Sequence, residues 1–293
     1  MNHIYKNVAK VGKAKLIGTH ASGSPEWLEQ RKNTIGGSDI APILNRSPWT
    51  SAYSLWARKT GLIPEQQAND RMKLGNLFEP AIVEMYRLKH DHLTVHYPGH
   101  TWESLKNPRF HANPDAFVET EFGDISVLEI KYTSEYWKEL PEQYRLQVLW
   151  YQHVTGLTND AVVAVVSPQG YREFPVIYDK QDALTIEGIV ERFLDNIDSK
   201  VEPQLDTSES TYEAVRDVWG DLDDGEIDID PLAYENLLVA QAQADTWAGL
   251  VRLRKSEILR SMQGCKVGLV EGQRVVSLRT RGEGKPYLVI EKD

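Results

Sequence analysis

The spacing of apolar residues predicts that the first third of the chain is helical. Between residues 25 and 89 the apolar positions recur at three- and four-residue steps, as on one face of a helix. We expect helices from Pro25, after the Gly36-Gly37 pair, from Ser51, and from Asp70 to Lys89. The longest of them has one apolar stripe, predicted to be buried, made of Leu74, Leu77, Phe78, Ile82, Met85 and Tyr86.

From residue 92 the pattern alternates between apolar and polar positions, which is typical of strands. Segments 92–102, 109–120 and 124–133 are predicted strands, and the turn at 121–124 suggests a hairpin between the last two. A helix follows over about 134–153, with a break near Pro141 because proline interrupts helices. The apolar run at 160–168 is typical of a buried central strand, and residues 171–179 are predicted to form the strand next to it.

These elements predict an α/β (α+β) domain over residues 25–200, with a mixed central sheet flanked by helices and closed by an amphipathic helix at 181–199. Residues 1–24 are expected to be a mobile lead-in, and 201–230 an acidic linker. Residues 231–263 are predicted to form one long helix, followed up to residue 293 by two or three short strands.

Composition narrows the class of protein. The chain has 293 residues, of which 41% are hydrophobic, and it contains no apolar run of the ~18 residues that a membrane span needs. The N-terminus lacks an apolar stretch of signal-peptide length. One cysteine, Cys265, excludes an internal disulfide and a four-cysteine zinc or iron–sulfur site. We therefore expect a protein of a reducing cytoplasm.

Charge is distributed unevenly along the chain. The net charge is −10, yet residues 1–110 carry 15 Lys and Arg against 9 Asp and Glu. Residues 202–235 carry 12 acids against the single cation Arg216. The front half could present a basic surface to phosphates, although both segments could equally be solvated faces.

The strongest chemical signal lies between residues 113 and 131. Side chains alternate along a strand, so Glu129 and Lys131 face the same side, and Asp115 precedes the neighbouring predicted strand. Two carboxylates and the Ile130 carbonyl make an all-oxygen site suited to Mg²⁺ or Mn²⁺. Such a metal site beside a lysine is typical of phosphodiester hydrolysis.

A simpler interpretation remains open for each residue. Asp115, Glu129 and Lys131 could form a surface ion pair. Glu79 could be a helix-surface acid, and Gln147 a buried amide bonded to the backbone.

The order of these motifs resembles the PD-(D/E)XK nucleases, and more closely the lambda-exonuclease type, also called YqaJ-like viral recombinases. The resemblance covers roughly residues 25–200. It rests on Trp27–Arg31, Ile35–Ala41, Leu55–Trp56 with Lys59–Gly61, Gly75–Pro80, Asn113–Asp115, Leu128–Lys131, and Gln147–Val148 with Val154–Gly156.

The resemblance implies a processive 5′→3′ exonuclease that acts on double-stranded DNA ends in a phage or prophage recombination system. It would leave 3′ single strands for an annealing protein, and the family precedent is a homotrimer. By position, Glu79, Asp115 and Glu129 would hold Mg²⁺, with Lys131 and Gln147 beside the scissile phosphate. Arg31 and Ser38 match positions that grip the 5′-terminal phosphate.

The chain departs from that pattern after Glu-x-Lys. A second arginine expected there is absent, and Lys138 could replace it only as a point charge. Two other functions stay open at this point: an endonuclease or nickase of the same fold, and a catalytically silent DNA-binding scaffold protein.

Overall fold

The computed structural model describes residues 10–18, 24–65, 69–220 and 224–291. The chain divides into two compact units, residues 1–222 and 223–293. No helix within the described ranges is both long enough and apolar enough to cross a bilayer.

The first unit combines helices with strands. They are α1 (Pro25–Lys32), α2 (Gly37–Ile43), α3 (Ala52–Lys59), α4 (Asp70–Lys89), α5 (Glu142–Thr155), α6 (Lys180–Ser199) and α7 (Glu209–Val218). The strands are β1 (Lys10–Val11), β2 (Ala14–Gly18), β3 (Thr94–His96), β4 (Thr101–Ser104), β5 (His111–Ala112), β6 (Ala116–Glu119), β7 (Ile125–Tyr132), β8 (Ala161–Ser167) and β9 (Gly170–Val176).

Side-chain caps explain where several helices begin. The Ser51 side chain accepts a hydrogen bond from the Ser54 N–H at the start of α3, and Asn69 does the same for Met72 at the start of α4. Each cap satisfies an amide that has no partner within the helix. Pro141 stands immediately before α5, so the predicted break is the beginning of the helix and residues 134–141 are a loop.

The central sheet is mixed, as predicted. Its order is β3-β6-β7-β8-β9; β7 and β8 run parallel, and the β6–β7 hairpin is antiparallel. A second, antiparallel sheet has the order β1-β2-β4-β5.

The predicted lead-in is wrong where the structure describes it. Residues 1–9 and 19–23 lie outside the described residues, but β2 pairs with β4, and the Ala14 side chain is fully buried. The backbone hydrogen bonds of β4 hold this segment on the domain, which local composition does not reveal.

The two faces of the central sheet are covered by different helices. Helix α4 packs Ile82, Val83 and Tyr86 on the face that carries Leu128 and Ile130. The other face, which carries Val127, Val163 and Val165, packs against α5 and α6. Alternate residues of β7 therefore face different layers.

The apolar stripe predicted for α4 is buried only in its C-terminal half. Leu74, Leu77 and Phe78 are exposed, and the described core cluster under α4 contains none of them.

The acidic segment 201–230 is not all linker. It contains α7, whose Thr211 and Ala214 are buried, and the Ser210 hydroxyl lies 2.7 Å from that of Ser54 on α3. In the second unit, α8 (Pro231–Met262) precedes an antiparallel sheet of β10 (Val267–Val270), β11 (Gln273–Arg279) and β12 (Tyr287–Ile290).

Candidate active site

The hairpin β6–β7 brings the two central carboxylates together. Asp115 directly precedes β6, and the register pairs Ala116 with Leu128. The Asp115 Oδ2 atom accepts a hydrogen bond of 2.7 Å from the Ile130 N–H. The structure thus places Asp115 against the strand that carries Glu129 and Lys131.

Glu129 is the most deeply buried acid of the site, with 1% of its surface exposed. Its Oε1 atom accepts hydrogen bonds from the Lys131 ammonium group and, over 2.7 Å, from the Gln147 amide on α5. Its Oε2 atom is buried and has no hydrogen-bond partner among the residues that the structure describes. A buried carboxylate oxygen without a donor is costly unless a further group completes it.

The carboxylates destabilise one another in their charged forms. Burial and the nearby Asp115 raise the pKa of Glu129 to about 8, and the same two causes raise the pKa of Glu79 to about 7. Burial also raises the pKa of Asp115, although Lys131 acts in the opposite direction. This clustering of negative charge favours a bound cation.

Glu79 reaches the cluster from α4. Its carboxylate hydrogen bonds with the Tyr97 side chain and feels the charges of Asp115 and Lys131. The adjacent Phe78 ring stacks on Tyr132 of β7, with the ring centroids 4.5 Å apart. That contact fixes the exposed half of α4 beside the end of the strand.

Lys131 is held between the acids and an aromatic ring. Burial lowers its pKa, but the carboxylates of Glu129 and Asp115 raise it by more. Its ammonium group also lies 5.3 Å from the centroid of the Tyr144 ring. The side chain is therefore a fixed cation, and in this state it is a donor and not a base.

The residues fit a magnesium ion in part. Within the described ranges, no group of three or more His, Cys, Asp or Glu side chains is arranged so that it could hold a metal ion as it stands. Mg²⁺, however, is usually bound through one or two carboxylates and keeps several waters. Two carboxylates of the cluster could serve in this way. They are Glu129, whose Oε2 atom has no hydrogen-bond partner among the described residues, and Asp115, whose pKa is raised by burial.

A second cluster lies around Asp39 at the start of α2. Arg31 donates to the Ser38 hydroxyl over 3.0 Å and to Asp39 Oδ1 over 2.7 Å. Lys59 donates to Asp39 Oδ2 over 3.1 Å. Burial raises the pKa of Asp39, but Arg31 and Lys59 lower it by more, to about 2. Two cations thus share one anion, which leaves net positive charge at this place.

The start of α2 connects the two clusters. The N-cap is Gly36, and the Asp39 Oδ2 atom accepts a hydrogen bond of 3.0 Å from the Gly36 N–H. At Gly37 a Cβ atom would come within 2.4 Å of the Tyr151 ring and 2.9 Å of the Gln147 carbonyl. Ser38, which Arg31 contacts, therefore directly follows the residue of α2 that packs against Gln147 and Tyr151.

The predicted residues do not all meet. Glu79, Asp115, Glu129, Lys131 and Gln147 converge, and Ile130 contributes its N–H to Asp115. Lys138 is exposed in the loop 133–141 between β7 and α5, with no described contact to either cluster.

Sequence reasoning missed two members of the site. The Tyr151 hydroxyl accepts a 2.9 Å hydrogen bond from the Gln147 amide, and Lys59 is buried against Asp39. The four-residue spacing from Gln147 to Tyr151 puts both on one helix face and could have identified the tyrosine. Lys59 gave no comparable signal, since its partner is 20 residues away.

Comparison with known proteins points to one family. The sequence profile of the YqaJ-like viral recombinase domain matches residues 26–158. This part of the chain is therefore similar to the YqaJ-like viral recombinase domain. The predicted resemblance is thereby confirmed.

The chain is also similar to individual proteins. The YqaJ protein of Bacillus subtilis (strain 168) is 30% identical over 141 residues, which make up 45% of this chain and 42% of that protein. The match thus spans less than half the length of that relative.

The crystal structure of an alkaline exonuclease (LHK-Exo) from Laribacter hongkongensis matches 60% of this chain and 94% of its own, with 20% identity and a TM-score of 0.51. The same enzyme in complex with dAMP gives 19% identity and a TM-score of 0.52, with the same coverage. These likenesses confirm the predicted fold.

Proposed function

We propose that this protein is a Mg²⁺-dependent exonuclease that degrades double-stranded DNA from its ends in the 5′→3′ direction, with Mn²⁺ able to replace Mg²⁺. The observation that carries the proposal is the buried Glu129 carboxylate. It lies between Lys131 and Gln147, close to Asp115, and keeps one oxygen without a hydrogen-bond partner.

Each residue of the cluster has a definable role. Asp115 and Glu129, with the Ile130 carbonyl and Glu79, would hold the metal, which when bound supplies charge neutralisation at the phosphate and an acidified water. Lys131 would orient the attacking water and offset the charge that develops on the phosphate. Gln147 holds Glu129 in position through its amide.

The cluster around Arg31 supports action at DNA ends. A guanidinium group offers a fork of donors that suits a terminal phosphate, and Ser38 is exposed beside it. Lys138 would contribute a point charge from its loop. We infer that Arg31 and Ser38 bind the 5′-phosphate while the acidic cluster cuts the adjacent phosphodiester, which releases a 5′-deoxynucleoside monophosphate.

The wider context follows from the family. In a phage or prophage recombination system in the bacterial cytoplasm, the product would be a 3′ single strand for an annealing protein. A homotrimer around the duplex would account for processive degradation.

The test compares a linear duplex with a sealed circle of the same sequence, both labelled, in Mg²⁺. We expect the linear DNA to be degraded from its 5′-phosphorylated ends and the circle to survive. Glu129→Gln removes a proposed ligand and should lower the rate by ~10²–10³-fold, in the range found for single active-site groups. Glu121→Gln, in the exposed β6–β7 turn, is the matched control and should act like wild type.

The other outcomes separate the rivals. Cutting of the circle as fast as the linear duplex would point to an endonuclease or nickase. DNA binding without cleavage in any divalent metal would point to a scaffold protein. Full activity of Glu129→Gln would remove the proposed site.

A further inference from the structure

Helix α8 exposes apolar side chains along its whole length. Its 32 residues extend about 48 Å at 1.5 Å per residue. Among the residues of α8, Met262 alone is buried. Trp247 is 65% exposed and Leu237 54%. Other large apolar residues exposed on the helix are Leu232, Tyr234, Leu238, Val239, Leu250, Val251, Leu253, Ile258 and Leu259.

A helix with so much exposed apolar surface is expected to pack against a partner. Most of the stability of a helix in a protein comes from the packing of its apolar face, and a helix that is apolar on several sides is normally covered. Contiguous exposed apolar surface marks a site of association. The length of α8 suits a partner that is itself a long helix.

The charges around α8 specify what that partner is. Residues 224–235, at its N-terminal end, contain five acids and no Lys or Arg. Residues 252–266, at its C-terminal end, contain five Lys and Arg and one acid. The helix dipole favours acids and bases only in the first and last turns. The acids counted here extend back to Asp224, seven residues before the helix, so the dipole alone does not account for them.

We propose that α8 pairs with α8 of a second copy of this chain, in antiparallel orientation. The acidic end of each helix then lies beside the basic end of the other, so the two ends attract. A parallel pair would place five acids beside five acids. The surface is complementary to itself in one orientation only, as a two-fold interface requires.

The register follows from matching the apolar and charged positions. If the helices cross between Trp247 and Ala248, Leu237 of one copy lies level with Ile258 of the other. Glu235 then lies level with Arg260. Each Trp247 meets the small residues Ala248 and Gly249 of the other copy, which leave room for its ring at the centre.

Light scattering on the full chain tests the pairing. Trp247→Glu combined with Val251→Glu should halve the molar mass relative to wild type, whatever assembly the first unit forms. Phe122→Glu is the matched control, because Phe122 is 84% exposed in the β6–β7 turn, and it should leave the mass unchanged. Equal masses for wild type and the α8 variant would overturn the proposal.

Charge reversal tests the orientation in solution. Glu235→Lys or Arg260→Glu alone should weaken self-association by up to about fivefold at low salt, the size of an exposed charge interaction, and the double variant should restore it, because the charges of the two adjacent helix ends are exchanged. Failure of the double variant to recover any association would contradict the antiparallel register.

Cross-linking locates the contact. Cys265 is exposed, and Leu232→Cys adds a second thiol about one helix length away, beyond the reach of a short bismaleimide within one chain. An antiparallel pair predicts a cross-link from residue 232 of one copy to Cys265 of the other. Links only between like positions would mean a parallel pair, and no dimeric product would mean that α8 is covered by something else; both refute the proposal. Nuclease activity is not needed for either result.

Discussion

At the scale of single residues, the buried acids of the two clusters are in opposite electrostatic states. Asp39 is flanked by Arg31 and Lys59, which stabilise its charged form and hold its pKa at about 2. Glu129 is flanked by another acid, and its pKa is raised to about 8. The charged form of the buried acid is thus stabilised by neighbouring cations in the first cluster. In the second cluster it is destabilised, which favours the binding of a cation.

The Asp39 network predicts a specific loss of stability in acid. Because its folded-state pKa lies below the ordinary 3.8, Asp39 contributes stability above pH ~4 and loses it as the pH falls toward 2. The contribution is about 2 kcal/mol at neutral pH. Chemical denaturation should show Asp39→Asn less stable than wild type at pH 7, with the gap closing toward pH 2. Asp124→Asn, in an exposed turn, should show no such gap, and a pH-independent gap for Asp39→Asn would contradict the assigned pKa.

Arg31 should determine the preference for a 5′-phosphate. Arg31→Lys keeps the charge but loses the fork of donors, so the ratio of rates on 5′-phosphorylated and 5′-hydroxyl duplexes should fall about tenfold, or ~1.4 kcal/mol. Lys138→Ala should change this ratio less, because Lys138 lies in an exposed loop. If Arg31→Lys unfolds at the wild-type temperature and the ratio of the two rates is unchanged, the 5′-phosphate is bound at another site.

At the scale of secondary structure, the contact of α2 with α5 aligns the two clusters. Gly37→Ala would place a methyl group 2.4 Å from the Tyr151 ring, so the helices must separate. We expect a loss of ~1–3 kcal/mol of stability and a large loss of activity. Gly75→Ala, on α4 with open space around it, should instead be neutral or gain up to ~1 kcal/mol. Thermal unfolding and hydrolysis rates of both variants check this, and equal behaviour of the two would show that the contact is loose.

The elements themselves followed from local pattern, and the errors lie where tertiary contacts decide. The bounds predicted for α4, Asp70 to Lys89, match the structure, because a cap and a continuous period fix them. The burial of α4 was only half predicted, since Leu77 and Phe78 fit the stripe and are exposed. The spacing of apolar residues identifies the buried face of a helix, but it does not show how much of that face the rest of the protein covers.

The candidate site shows the same division. The order Asp115, Glu129, Lys131 could be read from alternation on adjacent strands, and the hairpin register brings them together. The role of Lys59 could not be predicted from the sequence, because its partner Asp39 is brought close only by the packing of α2 and α3. The strand at residues 14–18 was likewise missed, because its partner β4 is more than 80 residues away.

At the scale of the whole molecule, the chemistry lies within one unit. The residues of both clusters lie between 31 and 151, and both hydrophobic cores lie within residues 14–214. A fragment of residues 1–222 should therefore unfold cooperatively and keep metal-dependent hydrolysis of DNA ends. It should also assemble with half as many copies as the full-length protein, because it lacks α8. Loss of the fold in this fragment, seen by circular dichroism, would mean that the second unit is needed for stability.

Titration calorimetry with Mg²⁺ tests most directly whether the acidic side chains share a metal. At pH 8 the wild-type protein should bind Mg²⁺ and release protons, because the metal needs the deprotonated carboxylates. Glu129→Gln and Asp115→Asn should each weaken binding at least tenfold, while Glu121→Gln binds normally. Equal Mg²⁺ affinity in wild type and both site variants, or no binding by any of them, would contradict the account.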